Sequence, residues 1–378
     1  MTPLADVIGQ SRVVVCCGSG GVGKTTVAAV IALETARSGR RTVVVTIDPA
    51  RRLADALGLA GLTNTPSRIE MDLPGEMHAL MLDTKSTFDG LVRRYSADPD
   101  QARRILENRF YENISSSLSG TQEYMASEKL YELAEEGDWD LVVVDTPPTR
   151  HALDFLDAPQ RLANFLDHRL YKILMTPTKG IVRAVNVAAQ GVMRSLSKVV
   201  GGEVIADAIA FFGAFEGMEQ GFKDRASAVD LLLGSTDTSF ILVASPKADT
   251  VAEAGYFARQ LGKHEISVRA LVVNRMQPRF GGPLPDGTGR SGPGLAEARA
   301  RASTLEGTPL ADHYTALADA IAVAEGEESN LVGLTEQVAP APVVRVPVLP
   351  FEVTDLEGLS HIGRLLLADP NDRNDVTE

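Results

Sequence analysis

The chain has 378 residues, 44% hydrophobic and 23% charged, which fits a globular protein with one large α/β domain, or one such domain carrying a sizeable insertion. A formal net charge of -13 argues against general nucleic-acid binding, so no nucleic-acid partner is expected. The two cysteines, Cys16 and Cys17, are adjacent and cannot easily bridge each other, which points to a reducing compartment; without a Cys-x-x-Cys pair there is no thiolate zinc site to argue for.

From Met1 to Asp6 there is no basic, then apolar, signal-peptide pattern. The longest apolar candidate for a membrane span, Val204 to Phe215, is too short and contains Asp207. The expected location is the cytoplasm, with peripheral contact at a membrane left open.

Arg12 to Cys17 reads as a buried strand running into a glycine loop. Small and apolar residues from Thr25 to Ser38 predict a helix that Gly39 ends, and Thr42 to Ile47 predicts the next buried strand. Strand, loop, helix and strand of these lengths imply a parallel pair with a right-handed crossover. Further strands are expected at His78–Leu82, Leu141–Asp145, Phe240–Ser245, Val268–Asn274 and Val343–Leu349. Their alternation with helices predicts a doubly wound, mainly parallel α/β sheet of the P-loop type. Two stretches, 84–136 and 153–233, read as helical and are taken as one insertion subdomain. Residues 280–294, rich in Gly and Pro, read as a mobile loop, and the acidic residues 369–378 as a disordered tail.

Gly18-Ser19-Gly20-Gly21-Val22-Gly23-Lys24-Thr25 satisfies G-x-x-x-x-G-K-[ST] between a strand and a helix. Glycines let the backbone wrap an anion, so the loop amides and the helix N-terminus face the phosphates of a nucleotide. The candidate binding residues are Gly20, Gly21, Val22, Gly23, Lys24, Thr25 and Thr26. Lys24 is placed to reach the β- and γ-phosphates, and the Thr25 hydroxyl to ligate Mg2+. Asp145 ends an apolar strand, where a carboxylate either holds Mg2+ through water or caps a turn. Asp48 ends the second strand and either orients the attacking water or serves as a helix cap.

The phosphate loop, Thr46-Ile47-Asp48-Pro49-Ala50 and Asp145-Thr146-Pro147-Pro148-Thr149-Arg150-His151 together resemble the arsenite-pump ATPase family. That family includes the ATPases that target tail-anchored membrane proteins, and belongs to the deviant-Walker-A, SIMIBI class. The resemblance extends to about Leu367. It implies an ATP- and Mg2+-dependent dimer that hydrolyses ATP while capturing and releasing a hydrophobic client helix or membrane protein. It also implies a first switch at Asp48, Pro49 and Ala50, and a second at Asp145, Thr146, Pro147 and His151. In such proteins an asparagine after a late strand reads adenine, which is Asn274 here, with Pro350 and Phe351 flanking the base.

Three departures qualify the resemblance. The family's signature lysine, which reaches the partner's nucleotide, is replaced by Ser19. A homodimer would lack that contact, which favours a heterodimer with a lysine-bearing paralogue, unless Arg51 or Arg52 substitutes. The dimer-bridging Cys-x-x-Cys of some relatives and the arsenite-binding cysteines are both missing. Two other readings stay open: a partitioning or positioning ATPase of the same class, and a non-catalytic regulatory subunit. Asn274-Arg275-Met276-Gln277 lacks the aspartate of a guanine-specificity motif, so adenine is expected.

Two features of the second helical stretch have alternative readings. Phe211, Phe215, Met218 and Phe222 form a stripe at helical spacing, either a client surface or a buried core face, beside a line of Gly213, Gly217 and Gly221. Between Asp167 and Glu203 every charged residue is basic, either a solvated face or a contact for an anionic surface.

Overall fold

The valine-rich segments pair side by side, as strands buried on both faces must. In the computed structural model, which describes residues 2–48, 52–112, 121–147, 154–167, 202–278 and 292–367, the strands are β1 (Val13–Gly18), β2 (Arg41–Thr46), β3 (Ser67–Arg68), β4 (Glu76–Met81), β5 (Leu141–Asp145), β6 (Thr238–Ala244), β7 (Val268–Met276) and β8 (Val343–Pro347). They form an eight-stranded sheet in the order β3-β4-β2-β5-β1-β6-β7-β8. Every pairing is parallel except β3 with β4, which is antiparallel. Because β1 lies between β5 and β6, the strand order reverses there, and the loop leaving β1 opens at the switch point where such sheets bind ligands.

Described helices are α1 (Pro3–Gln10), α2 (Lys24–Arg37), α3 (Arg52–Ala56), α4 (Thr84–Tyr95), α5 (Pro99–Leu106), α6 (Thr121–Tyr131), α7 (Asp154–Asp167), α8 (Gly202–Ala214), α9 (Glu219–Leu233), α10 (Ala248–Lys263), α11 (Leu295–Thr304), α12 (Pro309–Val338) and α13 (Leu356–Leu367). A π-helical turn, Glu132–Glu136, follows α6. Among the described residues no helix is long and apolar enough to cross a membrane.

The chain divides into two compact units. The first comprises Met1–Met81, Gly137–Leu153 and Gly234–Glu378, and holds the sheet. Its core joins Val14, Val44, Val143, Ile241 and Val272 to α2, whose Val27 to Leu33 are all buried. Each large aliphatic side chain buried in this way contributes about 1.5–3 kcal/mol. Helix α13 packs on α2, where a side chain at Gly363 would collide with Glu34.

The second unit comprises Leu82–Glu136 and Asp154–Leu233, and its described elements are helical. Phe211, Phe215, Met218 and Phe222 are all buried there with Tyr111, Met125 and Ile105. The aromatic stripe is therefore core, with ring centroids of Phe215 and Phe222 5.0 Å apart. The glycine line does not lie on one helix. Gly217 has φ +89 in the turn between α8 and α9, and Gly221 alone of the three is closely approached, by Tyr95.

Strand β7 runs two residues past the expected Asn274 boundary, and β4 begins at Glu76. The short edge strand β3 is exposed at both residues and has no apolar pattern to betray it. The expectations for Pro49, Ala50, Arg51, His151, the basic stretch from Arg169 to Lys198, most of the 280–294 loop and the 369–378 tail lie outside the described residues.

Candidate functional site

Strand β1 ends at Gly18, where a Cβ would collide with the Val243 carbonyl of β6, so only glycine lets the two backbones come this close. Gly21 (φ +74) and Gly23 (φ +96) then hold left-handed conformations that L side chains avoid. Gly23 is the N-cap of α2 and provides no side-chain cap, which leaves first-turn amides available to an anion. Gly20 and Gly21 are exposed at the turn of the loop, whereas Val22 anchors it in the core.

Lys24 lies at the start of α2 and is buried, with its Nζ donating to the Ser19 carbonyl at 2.8 Å. Burial lowers its pKa, opposed by the nearby Asp145, Cys17 and Asp48. An ammonium held this way needs an anion. Thr25 and Thr26 follow in the first turn, and the Thr25 hydroxyl donates to Asp145 Oδ2 at 2.8 Å.

Asp145, at the end of β5, is 1% exposed. Thr46, at the end of β2, donates to the same Oδ2 at 3.1 Å, while Oδ1 is buried and has no hydrogen-bond partner among the described residues. Burial pushes the carboxyl up to about 6, although the bonds from Thr25 and Thr46 and the Lys24 charge pull it down. A buried carboxylate with one oxygen unsatisfied, beside a threonine hydroxyl, is a donor set suited to a hydrated hard cation. The residues present thus fit Mg2+.

Around this pair, Thr146 is buried and its hydroxyl donates to the Cys16 carbonyl at 2.8 Å, tying the segment after β5 to β1. Pro147 is half-buried beside it. The Asp48 backbone N–H donates to Thr46 Oγ1 at 3.3 Å, and the Asp48 carboxylate lies 3.7 Å from Arg52. Thr46 was not singled out as a site residue from the sequence. The available signal was a hydroxyl closing the apolar run Val43 to Val45.

Asn274, near the end of β7, reaches the same loop, its amide donating to the Val22 carbonyl at 2.9 Å. Pro350 and Phe351, after β8, are exposed, and the Phe351 ring meets His361 of α13 edge-on with centroids 5.6 Å apart. The structure thus brings Lys24, Thr25, Asp145, Asp48 and Asn274 to one phosphate loop.

A glycine loop joining strand to helix at the switch point, with lysine, threonine and a strand-end aspartate around it, defines a P-loop nucleotide-binding protein. Residues 11–280 match the model of the anion-transporting ATPase family, and the chain belongs to that family. Among its relatives, the ATPase ASNA1 homolog 1 of Paramecium tetraurelia is 26% identical over 273 residues, covering 68% of this chain and 73% of that protein. The ATPase ARSA2 of Chlamydomonas reinhardtii is 28% identical over 268 residues, 68% of this chain and 66% of its own. The ATPase GET3A of Arabidopsis thaliana is 24% identical over 262 residues, 68% and 65% of the two chains. Membership implies ATPase activity in general.

Proposed function

We propose that the chain hydrolyses ATP with Mg2+ at this loop, and as a dimer couples the nucleotide cycle to capture and release of a hydrophobic helix of a membrane protein. The observation that supports the chemistry best is the Asp145 carboxylate, held by Thr25 and Thr46 through one oxygen with the other unsatisfied among the described residues. Lys24 would bind the β- and γ-phosphates, Thr25 would ligate the cation, and Asp145 would hold its water shell. Magnesium, when bound, would neutralise charge developing on the phosphate oxygens. Asp48 would orient the attacking water, with Pro49 and Ala50 completing the first switch. Thr146, Pro147 and His151 would form the second. Asn274 would read the adenine, flanked by Pro350 and Phe351.

The coupling to a client helix rests on the family and on relatives such as the ATPase GET3A. Ser19, at the place of the family's partner-reaching lysine, favours a heterodimer with a lysine-bearing paralogue over a homodimer. Steady-state ATPase activity of the purified chain, with Lys24→Ala as control and oligomeric state measured on the same sample, tests both statements. Turnover lost in the variant supports a self-sufficient ATPase. Nucleotide binding with turnover only after a lysine-bearing partner is added supports the heterodimer. Failure to bind ATP at all would overturn the reading.

A further inference from the structure

One turn of α12 holds three neighbouring strands, through the segments that follow β6 and β7 and through Arg345 within β8. Glu327 Oε2 accepts the Gln277 backbone N–H, just beyond β7, at 2.6 Å. The Glu328 carboxylate receives both Nε and Nη2 of Arg345 on β8, at 2.8 and 2.9 Å. Asn330 donates to the Pro246 carbonyl, beyond β6, at 3.1 Å. The contacts beyond β6 and β7 lie at the C-terminal side of the sheet, where the nucleotide loop opens, and α12 lies beyond the residues matched by the family model.

Between Val273 and Met276 the pairing of β7 with β8 is irregular, and Arg275 sits at φ +62. A non-glycine residue in that conformation persists only where its surroundings enforce it. Here the enforcing contacts are Glu327 on the Gln277 amide, the Val348 N–H on the Met276 carbonyl at 2.8 Å, and the Arg275 N–H on Asn274 Oδ1 at 2.9 Å. Such an irregularity re-aims a side chain, since a strand that regains its regular alternation sends neighbouring side chains to opposite faces.

We infer that Glu327 is a positioning residue for base recognition: by holding the Gln277 amide it keeps the β7 irregularity that aims Asn274 at the nucleotide site. This rests on Asn274 reading the base. It assigns to α12 a part in selecting adenine that the phosphate loop does not share. Its removal should weaken binding of the base and leave binding of the phosphates intact, raising KM while kcat holds.

The test measures calorimetric Kd values of the full chain with Mg2+ for ATP, ADP, GTP and inorganic tripolyphosphate. Glu327→Ala should weaken ATP and ADP alike by about tenfold, the scale of one lost hydrogen bond to a charged group. Tripolyphosphate affinity should not change, and the preference for ATP over GTP should fall. Glu327→Gln keeps an acceptor and should stay within about threefold of the parent. If Glu327→Ala does not fold, Glu327→Asp, which withdraws the acceptor, is judged by the same criteria. Unchanged ATP affinity, or tripolyphosphate weakened in step with ATP, would overturn the inference. Asn274→Ala separates the two levels. If it leaves ATP affinity and base preference unchanged, the base-site reading itself fails; if it weakens ATP while Glu327→Ala does not, only the role of Glu327 fails.

Discussion

Asn274 and Val22, separated by 252 positions in the chain, are joined by a hydrogen bond of 2.9 Å from the asparagine amide to the valine carbonyl. The carboxamide oxygen is also engaged, accepting the Arg275 N–H at 2.9 Å. The end of β7 and the phosphate loop are therefore linked through one side chain. Asn274→Ala leaves the Val22 carbonyl without its donor, whereas Asn274→Asp sets an acceptor against it. The aspartate variant should be the less stable by about 1–2 kcal/mol in urea denaturation without nucleotide. Equal stabilities of the two variants would show that the aspartate oxygen does not face the Val22 carbonyl in solution.

The loop glycines separate backbone strain from collision. At Gly21 (φ +74) nothing among the described residues lies within 4 Å of an added Cβ, so Gly21→Ala should bear only the left-handed penalty, about 1 kcal/mol. At Gly23 (φ +96) the added Cβ would also run into the Asn274 amide nitrogen. Gly23→Ala should therefore lose about 2–3 kcal/mol. Thermal unfolding of both variants checks the order, and equal losses would remove Asn274 from the account.

Asp145 makes the nucleotide-free protein sensitive to pH in a definite direction. Burial raises its carboxyl from 3.8 to about 6, so the folded state holds this proton more tightly than the unfolded chain does. The stability it contributes is full below about pH 4 and is lost as pH rises through about 6. Asp145→Asn should thus stabilise the nucleotide-free protein at pH 7.5 by about 1–2 kcal/mol, with the gain vanishing toward about pH 4. The same variant should lose the extra stabilisation that Mg2+ and ATP together give the parent. A variant less stable than the parent at pH 7.5 would mean that the carboxylate is not the burdened group its burial implies.

What could be read from the sequence followed the range of each interaction. The central strands were legible because burial on both faces leaves continuous runs such as Leu141 to Val144, and the phosphate loop because its glycines, Lys24 and Thr25 are contiguous. Thr46 carries no local mark of its role, because its partner Asp145 is 99 positions away. The stripe from Phe211 to Phe222 has a helical period that fits core and surface equally. The ring neighbours that decide it, among them Phe88 and Tyr95 of α4, come from more than a hundred residues earlier. The glycine line failed for a local reason, since Gly217 with φ +89 breaks the helix the spacing assumed.

In the helical unit, the loss of Arg225 of α9 should be costly. It is 7% exposed, lies 2.6 Å from both Glu128 and Glu136, and its guanidinium stacks 4.0 Å from the Tyr131 ring centroid. Glu128, itself 2% exposed, would be left as a buried and unpaired carboxylate in Arg225→Met. Breaking one side of a buried ion pair costs about 3–5 kcal/mol, far more than the pair itself contributes relative to apolar replacements. Arg225→Met should therefore unfold at a much lower urea concentration. Adding Glu128→Met to it should recover part of the loss, because no uncompensated charge then remains at that position, although Glu136 keeps its partner Arg94 at 2.7 Å. A double variant no more stable than the single one would show that packing on Tyr131, and not the stranded carboxylate, sets the cost.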